Sequence, residues 1–373
     1  MNSFFQIRLG EVIKLNPVLN SASALEEELV DFLPMSAVDA EYSIAAATET
    51  RLFKEVRQGY TTFSDGDVLL AKITPCFENG KIAQVRLKNR YGFGSTEFHV
   101  LHADSDRLDS RYLVHFLRRD QIRLEGERKM TGSAGQRRVP KHFIESLFIP
   151  LPPLTEQRRI AAILDQADAL RSKRREALAQ LDSLTQSIFI EMFGDPGTNP
   201  KEWKLSRLDR ISEVGSSKRV FVEELVETGI PFYRGTEVGQ LGEGLAVEPS
   251  LFISQEHFER LKGETGIPTK GDLLLPSICP DGRIFMVHDD KPFYLKDGRV
   301  PWISVKKSDV NSVFLRQHLK QLFISNYSKI ASGTTFAELK IFALKNLSIC
   351  LPPLHLQEHF ANIVEVIQKQ TDS

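Results

Sequence analysis

The chain writes one unit twice. The stretches "LPPLTEQRRIAAILDQ" (151–166) and "LPPLHLQEHFANIVEV" (351–366) begin 200 residues apart. Before each, apolar residues alternate with period two: Leu147, Ile149 and Leu151 in one copy, Leu347, Ile349 and Leu351 in the other. That alternation predicts a strand with one buried face. Pro152-Pro153 and Pro352-Pro353 end the strand, because proline lacks a ladder donor and restricts the residue before it, and a helix follows each pair. The match continues upstream. "FSDGDVLLAKITPC" (63–76) answers "PTKGDLLLPSICPD" (268–281), and "RLGEV" (8–12) answers "RLDRI" (207–211). Each GD-containing stretch reads as a turn leading into a strand.

A whole domain with its exit helix is therefore duplicated, at a period far too long for a solenoid. The expected fold class is mixed α/β (α+β): two homologous domains separated by long antiparallel coiled-coil helices. The boundaries fall at 1–153 for the first domain, 154–196 for a long helix, 197–353 for the second domain and 354–373 for a short second helix.

From Thr155 to Phe193 nothing breaks a helix, and Thr155 with Glu156 offers an N-cap and a first-turn carboxylate. Ile160, Ile163, Ala167, Leu170, Ala177, Leu181, Leu184 and Ile188 step by three and four with one interruption at Arg174, which is a heptad seam. "GDPGTNP" (194–200) stops it. At about 1.5 Å per residue such a helix measures roughly 58 Å, a spacer that holds domains apart. The seam restarts at Phe360, Ile363 and Ile367. The second helix should run back antiparallel and cover only the far part of the first. Ile160 to Leu170 would then lack an intramolecular partner, and a sustained exposed apolar stripe marks a protein interface.

Composition narrows the class. No stretch approaches 18 consecutive apolar residues, and "MNSFFQIRLGEV" lacks a basic region followed by an apolar one, so a membrane span or signal peptide is not expected and the reading is soluble and cytoplasmic. Cys76, Cys279 and Cys350 are too few and scattered for a disulfide framework or zinc site, and read as small buried residues. A net charge of −1 argues against a polyanion sponge but permits local basic patches.

"IPLPPLTEQRRIAAILDQAD", followed by a long heptad helix and a second LPP-helix half a chain later, resembles the specificity subunits of type I restriction-modification systems. The resemblance covers essentially the whole chain and rests on Pro152, Pro153, Leu154, Glu156, Gln157, Ile160, Ala161 and Leu164. In the second copy Gln357 matches Gln157, but Leu356 stands where Glu156 does, and the last helix is short for the family. The resemblance implies a chain that catalyses nothing. It would direct two modification subunits that methylate adenine with S-adenosylmethionine, together with a translocating restriction subunit that uses ATP and Mg. It would bind no cofactor itself. Its two target-recognition domains would each read one half of a split double-stranded DNA site, and a spacer of this length suits readers about one helical turn, or about 34–36 Å, apart. Because the domains share a skeleton but differ in most other residues, the target should be asymmetric and interrupted. Self-association through the spacer helices stays open.

The densest basic stretch runs from Arg118 to Lys141. Arg118 to Lys129 reads as a solvated helix face. "TGSAGQRRVPK" (131–141) combines glycines that let backbone approach a phosphate with paired arginines, so Gly132, Ser133, Arg137, Arg138 and Lys141 are expected at DNA. The second domain's loop "ASGTTFAELK" (331–340) keeps Gly333 and Lys340 but no arginine; its other candidates are Lys218, Arg219, Arg234 and Arg283. A rival reading, a metal-dependent nuclease at Asp289-Asp290-Lys291, is weakened by an ordinary glycine-centred hairpin at the same place in the first copy. No methyltransferase or ATP-loop motif is present. A coiled-coil scaffold without DNA specificity explains the spacer but not two domains with basic loops.

Overall fold

The computed structural model describes residues 5–18, 25–133, 135–305, 310–333 and 337–369. The chain divides into two compact units, Met1–Lys173 and Arg174–Ser373. In the first, a five-stranded sheet runs in the order Ile13–Leu15, Phe98–Ala103, Val68–Ala71, Ile82–Arg86, Ile44–Ala46. All neighbours are antiparallel except the last pair. The helix Ser110–Leu117 lays Leu113, Val114 and Leu117 into one core with Val68, Leu70 and Leu101. In the second unit the sheet Glu213–Ser216, Pro301–Ser304, Leu273–Leu274, Phe285–Met286 repeats the first four positions in the same order. A second four-stranded sheet flanks each.

The duplicated residues occupy the same places. Gly66 and Gly271 take the left-handed turn (φ +86° and +92°) that glycine tolerates without strain. The following aspartates, both buried, close it: Asp67 accepts the Ser64 N–H at 2.8 Å and Asp272 the Thr269 N–H at 2.9 Å. The strand before each LPP pairs with the start of its own domain, Phe148–Pro150 with Gln6–Arg8 and Ser348–Cys350 with Leu205–Arg207. Ile149 and Ile349 are fully buried, as the alternation requires.

Gln157 and Gln357, also fully buried, explain why that residue survives in both copies. Gln157 Nε2 donates to the Pro152 carbonyl at 2.8 Å, while its Oε1 accepts the N–H of Asp109, the cap of the helix Ser110–Leu117, at 2.9 Å. Gln357 repeats both bonds, to Pro352 and to Asn311, the cap of Ser312–Ile330. One amide thus ties the proline turn to a second helix's first turn, and no other side chain of that length offers both donor and acceptor.

The connecting helix runs Leu154–Phe193 without interruption. It starts one residue before the expected cap: the Pro153 carbonyl accepts the Glu156 and Gln157 N–H groups, so Thr155 lies inside the first turn. At its end the Lys201 ammonium reaches the carbonyls of Glu191 and Met192, and Trp203 Nε1 reaches that of Phe193, satisfying groups a helix leaves open.

The seam is corrected in two places. Ile160 is not open but packs on the first unit's core beside the buried Ala161. Near the other end, the buried positions are Phe189 and Phe193, with Ile188 only partly buried beside them. Phe360 and Val364 of the last helix, Leu354–Lys369, join this core, with ring centroids of Phe360 5.5 Å from Phe189 and 5.7 Å from Phe193. Aromatic burial there sets the helix phase, since each ring removes roughly 150–250 Å² from water. Ile367 is buried, Ile363, Ala167 and Leu181 are partly exposed, and Leu184 faces solvent. Ile163 and Leu170 are exposed by 50% and 67%, as the seam predicts for its near part.

Among the described residues no helix is long and apolar enough to cross a membrane. Cys279 and Cys350 are buried and Cys76 half-buried, all as free thiols.

Candidate nucleic-acid interface

In the first unit the basic stretch separates into two parts. Arg118 turns inward and donates to the Ala40 carbonyl at 2.9 Å, and Arg123 reaches the Glu78 carbonyl at 3.0 Å. These guanidinium groups serve the fold. The remainder forms a tight loop. Thr131 and Arg138 exchange backbone hydrogen bonds of 3.0 and 2.8 Å, and Gly132 sits at φ +129°, a conformation side chains resist. The N–H of Thr74 donates to the Arg137 carbonyl, and that of Val139 to the Lys72 carbonyl, pinning the loop to the end of the strand Val68–Ala71.

Gly132 and Ser133 lie exposed at the tip, and Lys141 is exposed at the start of the short helix Lys141–Ser146. Arg137 is half-exposed, 3.6 Å from Glu78. The loop also gathers a residue that sequence reading missed. Lys72 is half-buried, and its ammonium makes no hydrogen bond or ion pair among the described residues. Burial, reinforced by the fields of Arg138 and Lys141 and opposed by Glu97, holds its pKa below the ordinary lysine value. The duplicate alignment sets Lys72 opposite Ser277, the one signal that marked it.

Arg138 departs from the expectation of an open guanidinium. Its Nε and Nη2 donate to the two Glu97 oxygens at 2.9 and 2.8 Å, and Nη1 donates to the Gln136 carbonyl at 3.2 Å. The Arg138 hydrogen bonds hold the Glu97 carboxyl below the usual carboxylate range against the effect of burial. Glu97 comes from the turn before Phe98–Ala103, too far along the chain for spacing to reveal.

At its described ends the second unit repeats the loop's backbone pairing but not its charge. Gly333 takes φ +131°, and Ser332 pairs with Glu338. Lys340 lies 2.6 Å from Glu338, which also meets Arg299 at 2.6 Å. Arg219 pairs with Asp297 at 3.0 Å, two residues before Arg299. Lys218 pairs with Glu264, and Arg234 grips Glu237 at the entry to the helix Gly235–Gly242. Arg283 lies between Asp281 at 2.7 Å and Glu243 at 3.1 Å. Every expected cation of this unit thus faces a carboxylate, whereas Lys72 and Lys141 of the first unit have no such partner among the described residues. At the rival nuclease site, Lys291 contacts Asp289 at 3.3 Å within one exposed turn. Among the described residues no group of three or more His, Cys, Asp or Glu is arranged to hold a metal ion.

A chain with two copies of one α/β fold, each closed by a proline turn and glutamine-tied helix, belongs to a narrow class. The model of the type I restriction modification DNA specificity domain matches residues 4–180 and again 200–373, and the chain belongs to that family. The type I restriction enzyme EcoEI specificity subunit of Escherichia coli is 38% identical over 298 residues, 78% of this chain and 48% of that protein. The EcoAI specificity subunit, also of Escherichia coli, is 38% identical over 182 residues, 48% of this chain and 31% of that protein. The chain spans about half, or less, of these two relatives' length. The crystal structure of a type I restriction-modification S subunit from M. genitalium shares the fold, with a TM-score of 0.54 at 15% identity over all of this chain and 91% of that one.

Proposed function

We propose that this chain is a sequence-specific DNA-recognition subunit, non-catalytic itself, that reads a bipartite asymmetric target in double-stranded DNA. The observation that carries this reading is internal: one fold occurs twice, with the same glycine loop in the same place, yet the loops carry different charges. A shared skeleton gives both units one way to meet a duplex, and unlike side chains give unlike half-sites.

Lys72, Arg137 and Lys141 around Gly132 and Ser133 meet DNA in the first unit. In the second, Lys218, Arg219, Arg234, Arg283 and Lys340 would exchange a carboxylate for a phosphate on binding. The subunit works in the cytoplasm with two adenine-modifying subunits, which carry S-adenosylmethionine, and with a restriction subunit that carries ATP and Mg. The exposed Ile163, Leu170 and Leu184 support a protein partner on the connecting helix, either a modification subunit or a second copy of this chain; Ile160 and Ile188 are already used within their own units.

Selection from a random-sequence duplex pool by the full chain, followed by sequencing, tests this. The expected result is two unlike short motifs at a fixed gap, with binding that falls steeply as salt rises. A pool without enrichment, or two identical motifs, contradicts the reading.

A further inference from the structure

The loop of each unit is held by an ion pair, and the polarity of that pair is reversed between them. In the first unit the Lys72 N–H donates to the Glu97 carbonyl, the Val139 N–H donates to the Lys72 carbonyl, and Glu97 binds Arg138. In the second, the Ser277 N–H donates to the Arg299 carbonyl, the Leu339 N–H donates to the Ser277 carbonyl, and Arg299 binds Glu338. The backbone bonds make the positions equivalent: Lys72 with Ser277, Glu97 with Arg299, Arg138 with Glu338. Acid faces base at one place, and base faces acid at the other.

We infer that Arg138 with Glu97, and Glu338 with Arg299, are positioning residues that latch the glycine loop against the central sheet, so that Arg138 shapes the proposed DNA surface without itself touching DNA. The inference rests on the DNA-binding reading for what the loop does, not for the latch. If the task of Arg138 were to meet a phosphate, which both half-sites carry, its counterpart Glu338 would repel that group in the second unit. If the task is to close an ion pair, either polarity serves, because the pair's net charge is unchanged and both pairs close within hydrogen-bond distance, at 2.8 Å and 2.6 Å. The bonding agrees, since Glu97 takes the side of the guanidinium fork that bidentate recognition uses. The third residue changes with the polarity too. Lys72 stands beside the acid Glu97, whereas neutral Ser277 stands beside the base Arg299. Lys72, Arg137 and Lys141 remain to present positive charge.

The test reverses the pair in a Lys72→Ser background of the full chain, which removes the charge that the second unit lacks. Arg138→Glu alone leaves two acids face to face; Glu97→Arg with Arg138→Glu copies the Arg299–Glu338 pair of the second unit without the Lys340 ammonium that also meets Glu338 there. Two readouts are taken: amide hydrogen exchange over residues 131–139, and binding to a random-sequence duplex across a salt series. We expect Arg138→Glu to speed exchange in the loop by about tenfold or more and to weaken binding similarly. The reversed pair should return both to within about threefold of the Lys72→Ser parent, with the salt dependence unchanged. Binding that stays as weak in the reversed pair as in Arg138→Glu, with the salt slope reduced by about one phosphate contact, would show that Arg138 touches DNA and overturn the inference. Unchanged exchange in Arg138→Glu would overturn it as well. Should the parent and the wild type both fail to bind duplex, the functional reading falls, and the exchange data still decide the latch.

Discussion

The two units hold the same connecting helix by different physics. The first grips it with polar groups: Gln157 bonds to Pro152, Asp109 and Arg107, and about two turns further Asp165 accepts from His115 Nε2 at 2.7 Å and from the fork of Arg111. Burial opposes the Asp165 charge, but these donors prevail and keep its carboxyl below the usual range. The second unit adds buried rings, Phe189 and Phe193 packed on Phe314 and Phe360, to polar contacts of Gln186 with Gln321 and of Asp182 with Lys320. Directional bonds fix where a helix sits and how it is rotated. Aromatic burial supplies more free energy with looser geometry.

That contrast is testable, beginning with its apolar side. Phe189→Ala removes a fully buried ring and should cost the second unit about 3–5 kcal/mol, read as a lowered denaturant midpoint for that unit with the first unit unchanged. A loss below about 1 kcal/mol would mean that the rings are not the grip. Gln157→Leu strands the Asp109 N–H and the Arg107 and Pro152 carbonyls in a buried place. It should cost the first unit about 2–3 kcal/mol in the same assay, and a neutral result would reduce the glutamine to filler.

Acid should weaken the second unit through His318. Burial pushes this imidazole down to about 3, and its Nε2 accepts the Cys350 N–H at 3.0 Å, so the folded unit keeps it neutral while the unfolded chain protonates it near the ordinary pKa of about 6.5. Its contribution is whole above about pH 6.5 and declines by about 1.4 kcal/mol for each pH unit below that, down to about pH 3. Denaturant midpoints at several pH values should fall less steeply in His318→Gln, and equal slopes would refute the assignment. Asp165→Ala, at a partly exposed site where solvent screens the charges, should cost the first unit about 1 kcal/mol. Leu170→Glu, on a surface position, should change stability by less than about 0.5 kcal/mol yet remove a co-purifying modification subunit. Retention of that partner would clear the exposed part of the helix.

Duplication was legible because it leaves local marks: the Gly-Asp turns, the alternation around Ile149 and Ile349, the proline pairs and Gln157 with Gln357. The phase of the connecting helix was not legible throughout, since stepping by three and four carried the seam past Ile188, whereas Phe189 takes its position from residues of distant segments. The loop at Gly132 was legible through its glycines and basic run. The engagement of Arg138 was not, because Glu97 meets it only after the sheet has formed. The same holds in the second unit, where the acids facing Lys218 and Arg219, and one of the two facing Arg283, lie far along the chain. Sequence exposes charge and period, and pairing between remote segments decides which charges stay free.

The central claim is that two copies of one fold read two unlike half-sites for an adenine-modifying complex. Base-modification sequencing of host DNA, with and without this gene, tests it most directly. The account predicts a methylated adenine motif in two different parts across a fixed unspecified gap, present with the gene and lost on its deletion. An identical modification pattern in both strains would contradict it.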